Sequence, residues 1–352
     1  MRNKIRLAVA SIAVTTVGLA GQAGAEDQWW PFPVFENKDG ELVETEYVPL
    51  EKASQKWDLC VLFPHLKDSY WVAVDYGIVE EAKRLGVKVT VLQAGGYDSL
   101  PKQISQFDDC VAAGAEAIIT APISEAGMAK KLEEGMAKGI PQFGLANPII
   151  DTPVTGKVTA DFVLKGRQTG EYLVDHLGDG GGKAVSFPGP QGSGWAESYA
   201  QGFREALDGT SVELLEEKYG DTGVAVQLRL VEDALQTYPD MTAIWGTAPT
   251  VEGAIGAVAE AGLADQVTIM ASYENQGMLD AMKSGEILGF ATEFPVIQAR
   301  MAVDMAVRAL EDSLEHSSFL MLPKLITNDT AAEIDLTAVL APADWQPVYA
   351  VD

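Results

Sequence analysis

Two large rings stand side by side in Lys67-Asp68-Ser69-Tyr70-Trp71, and three more aromatics, Tyr97, Phe162 and Tyr273, fall at comparable places farther along the chain. Their chemistry is that of π faces with phenol and indole donors. Rings that converge can enclose a methylated cationic nitrogen by cation–π attraction, while Tyr hydroxyls and the Trp N–H donate to a polar ligand atom. The alternative for the same five residues is an apolar hinge between two lobes, because aromatics often mediate domain contacts. Both readings stand at this level.

The other constellations point to no reaction. Gly189-Pro190-Gln191-Gly192-Ser193-Gly194 imitates a dinucleotide fingerprint. Pro190 spoils the tight turn, however, and the loop offers no basic side chain to a pyrophosphate. Ser193 lacks a His and Asp in a recognisable order and a G-x-S-x-G elbow around it. Asp108-Asp109 and Glu133-Glu134 sit on helix faces, where a solvated surface is the expected role. Three scattered histidines, His65, His176 and His316, and two cysteines give no zinc spacing. No catalytic residue, metal or cofactor is therefore expected.

The elements that must position the rings follow from periodicity. From Trp57 onward, apolar strand-like runs alternate with amphipathic helical stretches: Leu59 to Phe63, a helix from Ser69 to Leu85 capped by Asp68 or Ser69, then Val87 to Gln93, and so on. A second series starts after Val158 and runs through Val296 to Ser313. The pattern predicts an α/β protein of two doubly wound lobes with mostly parallel sheets, joined by a hinge. Ligands bind such sheets beyond the carboxyl ends of the strands, which is where the five aromatics fall. Residues 26–56, rich in proline, acids and aromatics without a helical period, are expected to be an arm.

At 352 residues the chain is long enough for two cores, and 47% hydrophobic with 22% charged residues describes a globular protein. The formal charge of −26 disfavours nucleic acid and anionic membranes as partners. Arg2, Lys4 and Arg6 precede an apolar stretch from Leu7 to Ala20 and the small residues Ala23-Gly24-Ala25, the layout of a signal peptide over 1–25 that directs the chain to the periplasm. Its removal leaves 22 basic against 51 acidic residues. No cysteine follows the cleavage site to carry a lipid, and no later segment could span a bilayer. In that oxidising compartment Cys60 and Cys110 form a plausible disulfide, with two buried thiols as the alternative.

On Trp57-Asp58-Leu59-Cys60, Lys67-Asp68-Ser69-Tyr70-Trp71, Ala94-Gly95-Gly96-Tyr97, Pro188-Gly189-Pro190, Gly246-Thr247-Ala248 and Pro347-Val348-Tyr349, the sequence resembles the type I periplasmic binding proteins. Within them it is most similar to the branch that senses trimethylamine N-oxide for a membrane histidine kinase. The resemblance covers nearly the whole mature chain, and both cysteines match family positions. It implies ligand contacts at Tyr70, Trp71, Tyr97 and Tyr273, with Asp68 assisting, and at Phe162, where the branch usually carries Trp. Sugar-binding relatives place Asp at the Tyr273 position and Asn at the Ala248 position, so a sugar site is disfavoured. The resemblance also implies three crossings between lobes, with 57–161 and 274–316 in the N-terminal lobe and 162–273 and 317–352 in the C-terminal lobe. Its function would be that of a non-enzymatic sensor for trimethylamine N-oxide or a similar methylamine, docking on the kinase's periplasmic domain. The alternative is the substrate-binding protein of an ABC importer for a sugar or another small metabolite.

Overall fold

The computed structural model describes residues 28–38 and 40–352; the signal peptide expected over 1–25 lies outside the described residues. In chain order the elements are β1 (Phe32–Lys38), β2 (Glu41–Tyr47), β3 (Asp58–Phe63), α1 (Ser69–Leu85), β4 (Lys88–Gln93), α2 (Leu100–Ala113), β5 (Ala117–Thr120), α3 (Glu125–Ala137), β6 (Gln142–Ala146) and β7 (Gly156–Ala160). There follow α4 (Phe162–Leu177), β8 (Gly182–Phe187), α5 (Trp195–Leu207), β9 (Val212–Glu217), α6 (Val224–Thr237), β10 (Ala243–Gly246), α7 (Ala248–Glu260), β11 (Thr268–Ala271) and α8 (Gln276–Ser284). Last come β12 (Phe290–Thr292), α9 (Pro295–Leu310), β13 (Ser318–Met321), β14 (Lys324–Ile326) and β15 (Ala350–Val351).

As the strand and helix alternation predicts, the fold is α/β with parallel sheets at its centre. The first lobe holds a nine-stranded sheet in the order β15-β4-β3-β5-β6-β7-β13-β1-β2, and the second a four-stranded parallel sheet, β11-β10-β8-β9. Because strand side chains alternate, β3 serves two cores. Leu59, Val61 and Phe63 face the layer of α1 and α9, while Cys60 and Leu62 face α2 and α3. The Cys60 and Cys110 sulfurs are bonded, joining β3 to the last turn of α2.

Three expectations about organisation need correction. The segment expected as an arm contains the β1–β2 hairpin, which β13 pairs into the first sheet. It is ordered by what it covers: Asp304, buried inside α9, accepts from Tyr47 Oη at 2.6 Å and from the Leu50 amide at 2.7 Å. The Asp39-Gly40 pair between alternating residues is a hairpin signal that marks it in the sequence. Second, residues 274–316 do not stay in one lobe. Helix α8 packs on α7, and β12 pairs with β14 beside the second lobe, so the chain recrosses near Glu293 and only α9 belongs to the first. Third, 317–352 is not confined to the second lobe, since β13 pairs with β7 and β15 with β4 in the first sheet. Periodicity identifies a strand but not the sheet that receives it.

Two local features fix the approach of elements to the interlobe cleft. A Cβ on Gly166 would lie 2.2 Å from the Tyr199 carbonyl oxygen, and one on Gly202 would lie 1.9 Å from that of Val163, so only glycine lets α4 and α5 touch. At the second crossing Phe294 holds a left-handed conformation (φ 58°) ahead of Pro295, turning the chain from β12 into α9. A bulky residue adopts that conformation only where its surroundings impose it.

Candidate ligand site between the lobes

Each sheet presents the carboxyl ends of its strands to the cleft, and the side chains there surround a small cavity. Tyr70, Trp71, Tyr97, Phe162 and Tyr273 all line it, so the structure brings together the five aromatics singled out in the sequence. Asp68 stands one layer behind. It caps α1 by accepting from the Tyr70 amide at 3.1 Å, and its other carboxylate oxygen accepts from Tyr273 Oη at 2.6 Å. One residue thus starts the helix that carries Tyr70 and Trp71 and orients the tyrosine opposite.

Five further lining residues were not among those candidates: Asn147, Trp195, Tyr199, Thr222 and Glu293. Trp195 and Tyr199 open α5, four residues apart and therefore on one helical face. Asn147 follows the left-handed Ala146 at the end of β6. The signal for Trp195 and Tyr199 is the same strand-to-helix position that marks Tyr70 and Trp71. Nothing in the local sequence around Glu293 distinguishes it from the other acids.

The rings meet edge to face around the wall. Tyr70 contacts Trp71 and Tyr273 with centroids 5.2 and 5.5 Å apart, Trp195 contacts Tyr97 and Tyr199 at 5.7 and 5.5 Å, and Phe162 contacts Tyr199 at 5.4 Å. This is the favourable quadrupolar arrangement, and the Lys165 ammonium lies over the Tyr199 and Tyr273 rings at 5.7 and 5.8 Å. Beneath them Lys165, fully buried on α4, donates to Glu274 at 2.9 Å and to Glu293 at 3.0 Å. Glu293 also accepts from Tyr70 Oη at 2.5 Å, and Glu274 accepts from Thr292 Oγ1 at 2.8 Å and the Glu293 amide at 2.9 Å.

Burial governs the protonation states. It raises the Glu293 carboxyl above the ordinary range against the pull of Lys165, with Glu274 adding to the rise. Burial also lifts Asp68 to about 6, although the bonds from Tyr273, the Tyr70 amide and Asn275 oppose it. The hydroxyls of Tyr70, Tyr199 and Tyr273 are held well above their usual values, first by burial and then by neighbouring carboxylates, so they stay neutral. His65 is lowered to about 4 by burial and by Lys67, and is uncharged at neutral pH.

A polar seam joins the lobes around this cavity. Lys67 pairs with Asp221 at 3.0 Å, the Tyr97 amide donates to the same carboxylate at 3.2 Å, and His65 Nε2 meets Thr222 Oγ1 at 2.7 Å. Trp195 Nε1 donates across the cleft to Tyr97 Oη at 3.1 Å. In the Gly189 to Gly194 loop the amides of Gly192 and Gly194 donate to the carboxylate of Glu197 at 2.6 and 2.9 Å, which occupies donors that a phosphate would need. Among the described residues no group of three or more His, Cys, Asp or Glu could hold a metal ion, and no helix is long and apolar enough to cross a membrane.

Comparison with known proteins gives the family of the chain. The model of the periplasmic binding protein domain matches residues 59–313. Periplasmic protein TorT of Escherichia coli K12 is 31% identical over 298 residues, covering 85% of this chain and 86% of TorT. A solute binding protein of an ABC transporter from Bradyrhizobium sp. BTAi1, solved with bound bis-tris, is 41% identical and superposes with a TM-score of 0.78 over 92% of this chain and all of its own. The complex of the TorS sensor domain with TorT in the presence of TMAO gives a TM-score of 0.74 at 25% identity, over 84% of this chain and 100% of the matched one. The chain belongs to the periplasmic binding protein family, as a periplasmic protein of the two-lobed type I architecture that is similar to TorT.

Proposed function

We propose that the protein is a non-enzymatic periplasmic receptor that encloses trimethylamine N-oxide or a similar small methylamine between its lobes and presents the closed form to the periplasmic domain of a TorS-like sensor histidine kinase. The observation that carries this reading is the composition of the wall: aromatic rings from both lobes and the first crossing surround one small cavity. Methyl groups on a positively charged nitrogen match such a wall in shape and in electrostatics. Tyr70, Trp71, Tyr97, Phe162 and Tyr273 form the cage, and Asp68 holds Tyr273 in place. Since residues of both lobes line the cavity, a guest interacts with the closed state more than with an open one, and that difference is what shifts the population toward closure. The kinase assignment draws on the likeness to TorT and on the complex of TorT with the TorS sensor domain.

A second reading, a solute receptor for an ABC importer, is favoured by one observation, the 41% identity to the Bradyrhizobium solute binding protein. Its bound bis-tris is a tertiary amine, so the cavity chemistry fits either reading and the partner separates them. Calorimetry with trimethylamine N-oxide, choline, betaine and ribose tests the ligand. Trp71→Ala is expected to weaken methylamine binding by about thirtyfold, or roughly 2 kcal/mol. Unchanged affinity in folded Trp71→Ala and Tyr273→Ala proteins would refute the cage. Binding of the purified receptor to its cognate sensor domain supports the signalling role; its absence with and without ligand assigns the protein to import.

A further inference from the structure

We propose that the cavity selects a ligand of net positive charge, a small methylated ammonium cation in preference to the electrically neutral N-oxide. This deepens the methylamine reading above and rests on it.

The first argument is charge. Glu293 lines the cavity at 2% exposure and shares a single lysine, Lys165, with Glu274, so two buried carboxylates face one buried cation. Asp68 adds another carboxylate behind Tyr273. Among the described residues no other cation is paired with them: His65 is neutral, and Lys67 at the rim is paired with Asp221. Uncompensated charge in a medium of low polarisability is costly, and either a proton or a guest cation relieves it. A neutral guest does neither.

The second argument is the state of the donors. An N-oxide oxygen carries negative charge and needs hydrogen-bond donors around it. The hydroxyl of Tyr70 is committed to Glu293, that of Tyr273 to Asp68, and the Trp195 indole to Tyr97. Of the other lining hydroxyls, that of Tyr199 is directed at Glu293 and Thr222 Oγ1 meets His65 Nε2 at 2.7 Å, which leaves the Trp71 indole N–H and the Tyr97 hydroxyl, whose own bond to Asn147 Oδ1 is long at 3.4 Å. These two can hold one acceptor atom, but they do not balance a carboxylate. The cavity is therefore rich in acceptors and ring faces and short of free donors, the reverse of what an oxide requires.

Tetramethylammonium and trimethylamine N-oxide make the test, since they share a tetrahedral shape and differ in one methyl against one oxygen. Calorimetry on the mature protein at neutral pH should show the cation binding at least about tenfold more tightly. Glu293→Gln should bring the two affinities to within about twofold of each other, through loss of affinity for the cation and not for the N-oxide. Equal or tighter binding of the N-oxide by the parent protein overturns the proposal, as does a cation preference that persists in folded Glu293→Gln. Should that variant fail to fold, the parent's ratio decides alone. If the parent binds neither compound but takes up ribose, the methylamine reading itself falls, an outcome distinct from an inverted ratio.

Discussion

The two lobes bring different resources to the same cavity. The first spreads a nine-stranded sheet, carries the Cys60–Cys110 bond and is overlaid by a hairpin that closes on Asp304. The second has four strands, no cysteine and a pair of helices held together by facing glycines. Yet each supplies aromatic wall: Tyr70, Trp71 and Tyr97 from the first, Trp195, Tyr199 and Tyr273 from the second. The difference teaches that the cavity wall is shared while reinforcement is not. The first lobe is cross-linked on the strand that leads directly into Tyr70 and Trp71, and the second is set against that platform by a seam of individually modest polar contacts.

The largest expected effect concerns the cross-link. Cys60 and Cys110 are 50 residues apart in the chain, and in the chain-entropy model closing such a loop stabilises the fold by about 4 kcal/mol. A Cys60→Ala, Cys110→Ala protein should lose stability of that order in denaturant melts, with the first lobe unfolding ahead of the second by probes placed in each. Equal loss in both lobes would mean that they unfold as one unit and would erase the contrast.

Next in size is the pH response of Asp68, a first-lobe residue buried by the second. Its folded value of about 6 lies above the ordinary 3.8, so the folded protein binds this proton more tightly than the unfolded chain does. Its contribution to stability is present at low pH and declines as pH rises from about 4 to about 6. Asp68→Asn removes the decline, so relative to the parent the variant should gain up to about 3 kcal/mol across that window. Thermal melts at a series of pH values measure it. A constant difference between the two proteins would show that the second lobe does not desolvate this carboxylate in solution.

The smallest effect belongs to the clasp between Lys67 and Asp221, which is half-exposed on the lysine side. Such pairs contribute about 0 to 1 kcal/mol, and salt screens them. Lys67→Ala should therefore weaken ligand binding by no more than about fivefold, and added salt should narrow the gap to the parent. A larger loss that persists in high salt would make the clasp a principal determinant of closure.

Much of this was legible in the sequence, and the limits have physical causes. The strand and helix alternation is written in periodicity, and the five aromatics declare themselves because large rings are unusual at strand-to-helix turns. Trp195 obeys the same rule but hides behind a glycine-rich loop whose interest lay in a nucleotide motif. Glu293 was not legible at all. Its importance comes from Lys165, 128 residues away, and from Tyr70, 223 residues away, which only the folded chain brings to it. The hairpin over residues 32–47 carries a turn signal at Asp39-Gly40, but the sheet it joins and the Asp304 it covers, a partner more than 250 residues distant, are not written locally. Contacts of that range have no signature in local spacing.

The enclosure of the cavity also sets a clock. Of the residues that line it, all but Tyr97 are buried, and they come from both lobes, so a guest held there would be released as the seam parts. Its residence time can be no shorter than the wait for the seam to part, and domain motions of this kind run on about the microsecond to millisecond scale or slower. Occupancy then follows the mean supply of ligand over that interval and is blind to faster fluctuations. If the proposed sensing role holds, such a protein would respond to a time-averaged environment.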